Sequence, residues 1–85
     1  MRLAYSKTFK KQYKKLDVSW QKRCDERIRL WQDDPTHPSL RVHPLVGNRA
    51  GYWSLNISGD LRALYYFEDD TLVVFALLGT HSQLY

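Results

Sequence analysis

Along the first third of the chain apolar residues recur at helical intervals, and along the last third they alternate with polar ones, so the hydrophobic period changes between the two ends. Arg2–Tyr5 predicts a short strand. Ser6 follows as the cap of a helix running through Leu16, with Phe9, Tyr13 and Leu16 returning on one face. A second helix begins within Asp17–Ser19 and places Trp20, Cys24, Ile28 and Trp31 at i, i+4, i+8 and i+11, which makes both tryptophans packing residues. It stops before Asp33-Asp34-Pro35, because proline has no N–H for the helical ladder. The short link between the two predicts a helical hairpin.

Thr36–Ala50 holds two prolines, a glycine and an asparagine and reads as loop, with Arg41–Leu45 a short extended piece. From Tyr52 onwards the pattern is that of strands. They are Tyr52–Ile57, a Ser58-Gly59-Asp60 turn, Leu61–Phe67, a Glu68–Thr71 turn and Leu72–Leu78. Leu61, Ala63, Tyr65 and Phe67 alternate against Arg62, Leu64 and Tyr66, so one face of the sheet covers the helices and the other is left for function. Trp53 belongs with the packing residues. Leu72–Leu78 is apolar on both faces and predicts a central strand. Beyond it Thr80 is placed to cap a final turn on which His81 and Tyr85 stand four residues apart on one side. The order βααβββ with a short C-terminal turn predicts an α+β fold, a helical hairpin packed on one face of a small, mainly antiparallel sheet.

At 85 residues the chain has room for one domain, expected to span residues 1–85, and 44% hydrophobic and 14% aromatic content suffices for its core. The single cysteine, Cys24, excludes an internal disulfide and a zinc site of the Cys-x-x-Cys kind, which fits a reducing cytoplasm. The longest apolar run, Leu72–Leu78, is too short to span a bilayer, and Met1–Ser6 lacks a signal-peptide core, so a soluble, unexported protein is expected. Charge changes the picture more. Residues 1–29 hold ten of the thirteen Lys and Arg but three of the nine acids, whereas residues 30–85 hold three and six. A cationic first half suits a phosphate backbone or an acidic protein partner, and it equally keeps a helix exterior soluble. Lys7, Lys10, Lys11, Lys14 and Lys15 form its densest cluster.

Several pieces of the second half occur together: His43-Pro44-Leu45 with Gly47, Gly51-Tyr52-Trp53, Asp60-Leu61-Arg62 with Tyr65, and Gly79-Thr80-His81 with Leu84-Tyr85. In this order and spacing, over roughly residues 41–85, the chain resembles the RelE/ParE superfamily of type II toxin-antitoxin toxins, and within it the YafQ-like ribonuclease branch. The resemblance implies a metal-independent and cofactor-independent mRNA interferase that cuts messenger on the ribosome and is held inactive by a cognate antitoxin. Such chemistry needs a base near the ribose 2′-OH, an acid at the 5′-oxygen and cations around the phosphate.

His81 follows the last strand, and a histidine, with an ordinary pKa of about 6.5, suits proton transfer near neutrality. The resemblance makes it the general acid rather than a packed terminal histidine. His43 precedes a proline, which extends the backbone and aims the side chain outward, as base, phosphate ligand or plain loop residue. His37, between Thr36 and Pro38, is read as a loop residue. Asp60 closes a turn where Asp is common, and by resemblance serves as base or orients a histidine. Arg62 points away from Leu61 and Ala63, either clamping a phosphate or pairing with Asp60 or Glu68. Tyr85 either stacks on a splayed base or anchors a fraying end. The lysine cluster is the expected RNA and ribosome contact.

Two positions depart from the family pattern. Asn56 stands where some YafQ-like members carry a histidine, and Leu77 where some carry an arginine. Two other functions remain open on the same fold: a ParE-like toxin that binds DNA gyrase without acid-base chemistry, and a non-catalytic RNA-binding adaptor.

Overall fold

A computed structural model describes all 85 residues. The elements are β1 (Arg2–Tyr5), α1 (Lys7–Lys14), α2 (Val18–Asp33), β2 (His43–Pro44), β3 (Trp53–Ser58), β4 (Leu61–Phe67), β5 (Leu72–Thr80) and α3 (His81–Leu84), with 3-10 turns at Pro38–Leu40 and Gly47–Arg49. The sheet order is β1-β5-β4-β3-β2. β1 lies parallel to β5 and every other pair is antiparallel, which is the expected α+β class, with the expected first strand at one edge and the two-residue β2, inside the extended piece Arg41–Leu45, added at the other.

Both helices start where their caps predict. Ser6 Oγ accepts from Phe9 N at 3.0 Å and Asp17 Oδ1 from Trp20 N at 3.1 Å, each satisfying an N–H that the first turn leaves free. α1 is shorter than expected: it stops at Lys14, and Leu16 packs against the core from the link. Trp20 departs from its expected packing role. It is 38% exposed, because it lies in the first turn of α2, one turn ahead of Cys24, where the buried stripe begins. Trp31 is buried, and Trp53 packs against the core half-buried.

The core fills the space between the helices and one sheet face, where Leu55, Ile57, Leu61, Ala63, Tyr65, Val73, Phe75 and Leu78 meet Phe9, Cys24, Ile28 and Trp31. Trp31 stands edge-on to Tyr65 and Phe75 and donates from Nε1 to the Tyr65 hydroxyl at 3.1 Å, so its one polar group is satisfied inside. Burial pushes the Cys24 thiol up to about 12, which leaves it an inert packing group.

β5 is interior, as its two apolar faces required. It also outruns its neighbour. β1 ends opposite Phe75, while β5 continues to Thr80, and a bulge at Ala76 shifts its register against β4. Two side chains of the α1 segment take the backbone groups left over: Ser6 Oγ donates to Ala76 O at 2.6 Å, and Leu78 N donates to Gln12 Oε1 at 2.7 Å. The second sheet face is not bare, since α3 folds back over it and buries Leu84, and Ser54 and Leu64 are buried there outside the main core.

Removing the Gln12 acceptor leaves a buried N–H unpaired, so Gln12→Leu should lower unfolding free energy by about 1–3 kcal/mol. Ser6→Ala loses a cap and a cross-link and should lower it by about 1–2 kcal/mol. Urea denaturation measures both, and midpoints equal to the parent protein's would contradict this account of β5.

Candidate active site

The last strand delivers its C-terminal residues to the sheet face opposite the helices. Gly79 leaves room for the turn: a Cβ there would meet Gln83 Oε1 at 2.8 Å and a Leu84 methyl at 3.4 Å, so a side chain at this position would push the Gln83 amide from its place beside β5. Thr80 is the N-cap residue, as expected, and its backbone N–H donates to Gln83 Oε1 at 2.8 Å. At the other end of the turn Arg49 Nε donates to Leu84 O at 3.2 Å, across 35 residues of sequence. His81 is thus the first residue of a turn fixed at both ends.

Arg62 reaches it from β4. In register Arg62 stands between Gly79 on β5 and Asn56 on β3, and all three face away from the helices. Its Nη1 donates to His81 Nδ1 at 2.7 Å. A guanidinium carries donors only, so Nδ1 must present its lone pair, and the ring proton of the neutral imidazole is placed on the outward Nε2. Arg62 Nη2 lies 3.9 Å from Asp60 Oδ1, a loose pair on a solvated edge with Asp60 more than half exposed. The Tyr85 ring packs against His81 with centroids 4.5 Å apart. His81, Arg62 and Tyr85 therefore form one cluster, with Asp60 at its margin.

His43 is on the same face but outside that cluster. It sits on edge strand β2 opposite Ser54, two strands from β4, and that spacing is about 10 Å. Its Nδ1 lies 3.3 Å from the Pro44 carbonyl oxygen. His37 Nδ1 accepts from Ser39 N at 3.2 Å and caps the 3-10 turn, in keeping with its reading as a loop residue. Asn56 Nδ2 donates to Gly59 O at 3.1 Å and braces the turn that carries Asp60. No three His, Cys, Asp or Glu side chains come together to hold a metal ion.

The lysines lie elsewhere. Lys7, Lys10, Lys11, Lys14 and Lys15 are all exposed on α1 and the link after it, on the helical side of the sheet, so they cannot share a phosphate with Arg62. Lys10 and Lys14 border a cleft of about 530 Å³ between α1 and α2, floored by Tyr5, Phe9 and Ile28. Gln83 and Arg49 are structural parts of the site absent from the residues singled out in the sequence, and Gly79 stood there only as part of the resemblance. Thr80-x-x-Gln83 has the spacing of a capping box and was open to that reading. Nothing local marks Arg49, whose partner is remote.

A family model described as a bacterial toxin of type II toxin-antitoxin systems, YafQ, matches residues 1–85. No curated protein matches. Among solved structures, a YoeB/ParE toxin from Agrobacterium tumefaciens superposes with a TM-score of 0.78 at 22% identity, over 95% of this chain and 99% of that one. YafQ from E. coli strain BL21(DE3) gives 0.77 at 24% identity, over 100% and 99%. The E. coli DinJ-YafQ complex gives 0.71 at 25% identity, over 100% and 99%.

The Arg62 contact makes a prediction that needs no substrate. In 15N-labelled protein above neutral pH, His81 should show Nε2 protonated and Nδ1 as the bare acceptor, and Arg62→Ala should relax it to a mixture of tautomers. A His81 ring protonated at Nδ1 in the parent protein contradicts the assigned geometry.

Proposed function

The chain belongs to the YafQ family of bacterial type II toxin-antitoxin toxins, and from that premise we propose that it is an mRNA interferase, an endoribonuclease that cuts messenger on the translating ribosome. The observation that carries the reading is the 2.7 Å contact between Arg62 and His81, which leaves a proton on the imidazole nitrogen facing solvent. The step is transesterification. The ribose 2′-oxygen loses its proton to a base and bonds to the adjacent phosphorus. The bond from phosphorus to the 5′-oxygen breaks, and His81 Nε2–H supplies the proton that the departing oxygen needs; the deprotonated ring is held at Nδ1 by the Arg62 guanidinium, whose charge offsets it until Nε2 regains a proton from solvent, and the RNA is left with a 2′,3′-cyclic phosphate and a 5′-hydroxyl.

Arg62 is the cation beside the pentavalent phosphate, where its charge offsets the developing negative charge while it orients His81. Asp60 and His43 are the candidate bases, the former nearer the cluster, the latter on the same face across β3. Tyr85, 45% exposed, has a free ring face on which a splayed base can stack. The α1 lysines, on the other side of the sheet, suit ribosomal RNA rather than the scissile phosphate. No step draws on a metal or cofactor.

The E. coli YafQ neighbour is seen in complex with DinJ, and a cognate antitoxin is proposed here too, its acidic segments matching the cationic helices and its apolar residues the cleft between them. The place of action is then the cytoplasm, where ribosomes translate.

Single-turnover cleavage of messenger on programmed ribosomes tests the reading. His81→Gln should lose on the order of 10² to 10⁴ in rate, and Arg62→Ala a similar factor, while both stay folded. Asp60→Asn and His43→Ala should lose less, since either can stand in for the other. Wild-type cleavage by His81→Gln sinks the mechanism. Growth arrest by His81→Gln with no cleavage by the parent protein moves the assignment to the gyrase-binding toxin.

A further inference from the structure

α3 is a single turn of four residues, too short to hold its shape unaided, since helix nucleation is unfavourable. Its two ends carry the site: His81 begins it and Tyr85 follows it, with their rings 4.5 Å apart. Three contacts fix the turn. Gln83 closes on Thr80 N at the start, Leu84 is buried beneath, and Arg49 holds the carbonyl of Leu84 at the end.

Arg49 is the one of the three that comes from another part of the chain. It belongs to the Gly47–Arg49 turn, which is itself pinned by Ala50 N donating to Gly47 O and Tyr52 N donating to Arg49 O, both at 3.0 Å. The only ion pair in the chain is that of Arg62 and Asp60, so no carboxylate competes for the Arg49 guanidinium. A cation at a helix C-terminus also meets the negative end of the aligned peptides. Its side chain is half-buried, which holds the donor in place where an exposed arginine would sample many rotamers.

We propose that Arg49 is a positioning residue for the reaction: by tying the end of α3 to the β2–β3 connection it keeps Tyr85 against His81 and so fixes the direction of the His81 Nε2–H bond. The inference rests on the ribonuclease reading of the site. It assigns to a loop arginine the task of holding the end of α3 and leaves Arg62 free to hold its beginning. The two arginines act at opposite ends of one turn, and neither replaces the other.

The test pairs a spectrum with kinetics. In the parent protein the Tyr85 ring current should displace the His81 ring protons from their free-histidine positions. Arg49→Ala should lose most of that displacement and cut kcat about 10- to 100-fold while KM moves less than about twofold, because misplacement of an acid weakens the transition state and not ribosome binding. Arg49→Lys, which keeps the charge and a donor, should recover part of both and covers the case in which the alanine variant folds poorly. Thermal melts should place the variants near the parent. Unchanged His81 shifts and kcat in Arg49→Ala overturn the proposal, as does a rise in KM with kcat kept, which would make Arg49 a substrate contact. If the parent protein cleaves no RNA, the ribonuclease reading fails alone, and the His81 shifts still decide whether Arg49 positions the turn.

Discussion

β5 is nine residues long and β1, its parallel neighbour, only four, so beyond Phe75 one edge of β5 has no strand beside it. Backbone groups on that edge are too close to the core to be left to water, and an unpaired buried N–H or C=O costs about as much as the hydrogen bond it lacks. Ser6 and Gln12 answer for two of them. Ser6 also caps α1, which fixes where the helix starts and therefore where Gln12 falls. A single local choice, a serine between strand and helix, thereby joins β1, α1 and the bulged part of β5. The bulge at Ala76 and the extension it permits carry Gly79 past the helices and allow α3 to turn back over the other face. The cluster at His81 depends on this arrangement.

Much of that architecture was legible in the sequence because its signals are local. Ser6 and Asp17 mark both helix starts, the alternation in Leu61–Phe67 separates the Arg62 side of β4 from the core side, and the two apolar faces of β5 place it inside the sheet. What was not legible is long-range. Nothing in Arg2–Tyr5 says that it pairs parallel to a strand 70 residues on, and the bulge at Ala76 shows no glycine or charge to betray it. The two-residue β2 exists only because β3 offers it an edge. Trp20 misled because helical spacing fixes the face of a residue but not whether the core extends that far along the helix.

The candidate site was legible to a similar degree. His81, Arg62 and Tyr85 come together, and what the structure adds is the direction of the contact between the first two. Asp60 and Arg62 were weighed as a pair, yet the separation of 3.9 Å and the exposure of Asp60 make that pair weak, while the Arg62 to His81 contact is short and directional. The arginine is thus held chiefly by the imidazole and only loosely by the carboxylate. Asn56, an amide at the register position beside Arg62, is occupied in bracing the Asp60 turn, which turns a departure from the family pattern into a structural role. The lysines lie on the opposite side of the sheet from His81, so the contact with ribosomal RNA and the attack on messenger that we propose fall on separate faces of the molecule.

The central claim is that His81 and Arg62 carry out transesterification on RNA, and the ends of the cut strands report on it directly. The downstream fragment from messenger cleaved on purified ribosomes should carry a 5′-hydroxyl, so polynucleotide kinase labels it without prior phosphatase treatment. The upstream fragment should end in a 2′,3′-cyclic phosphate or the 3′-phosphate it opens to. A 5′-phosphate on the downstream fragment, the product of water attacking phosphorus with the 3′-oxygen leaving, contradicts the account.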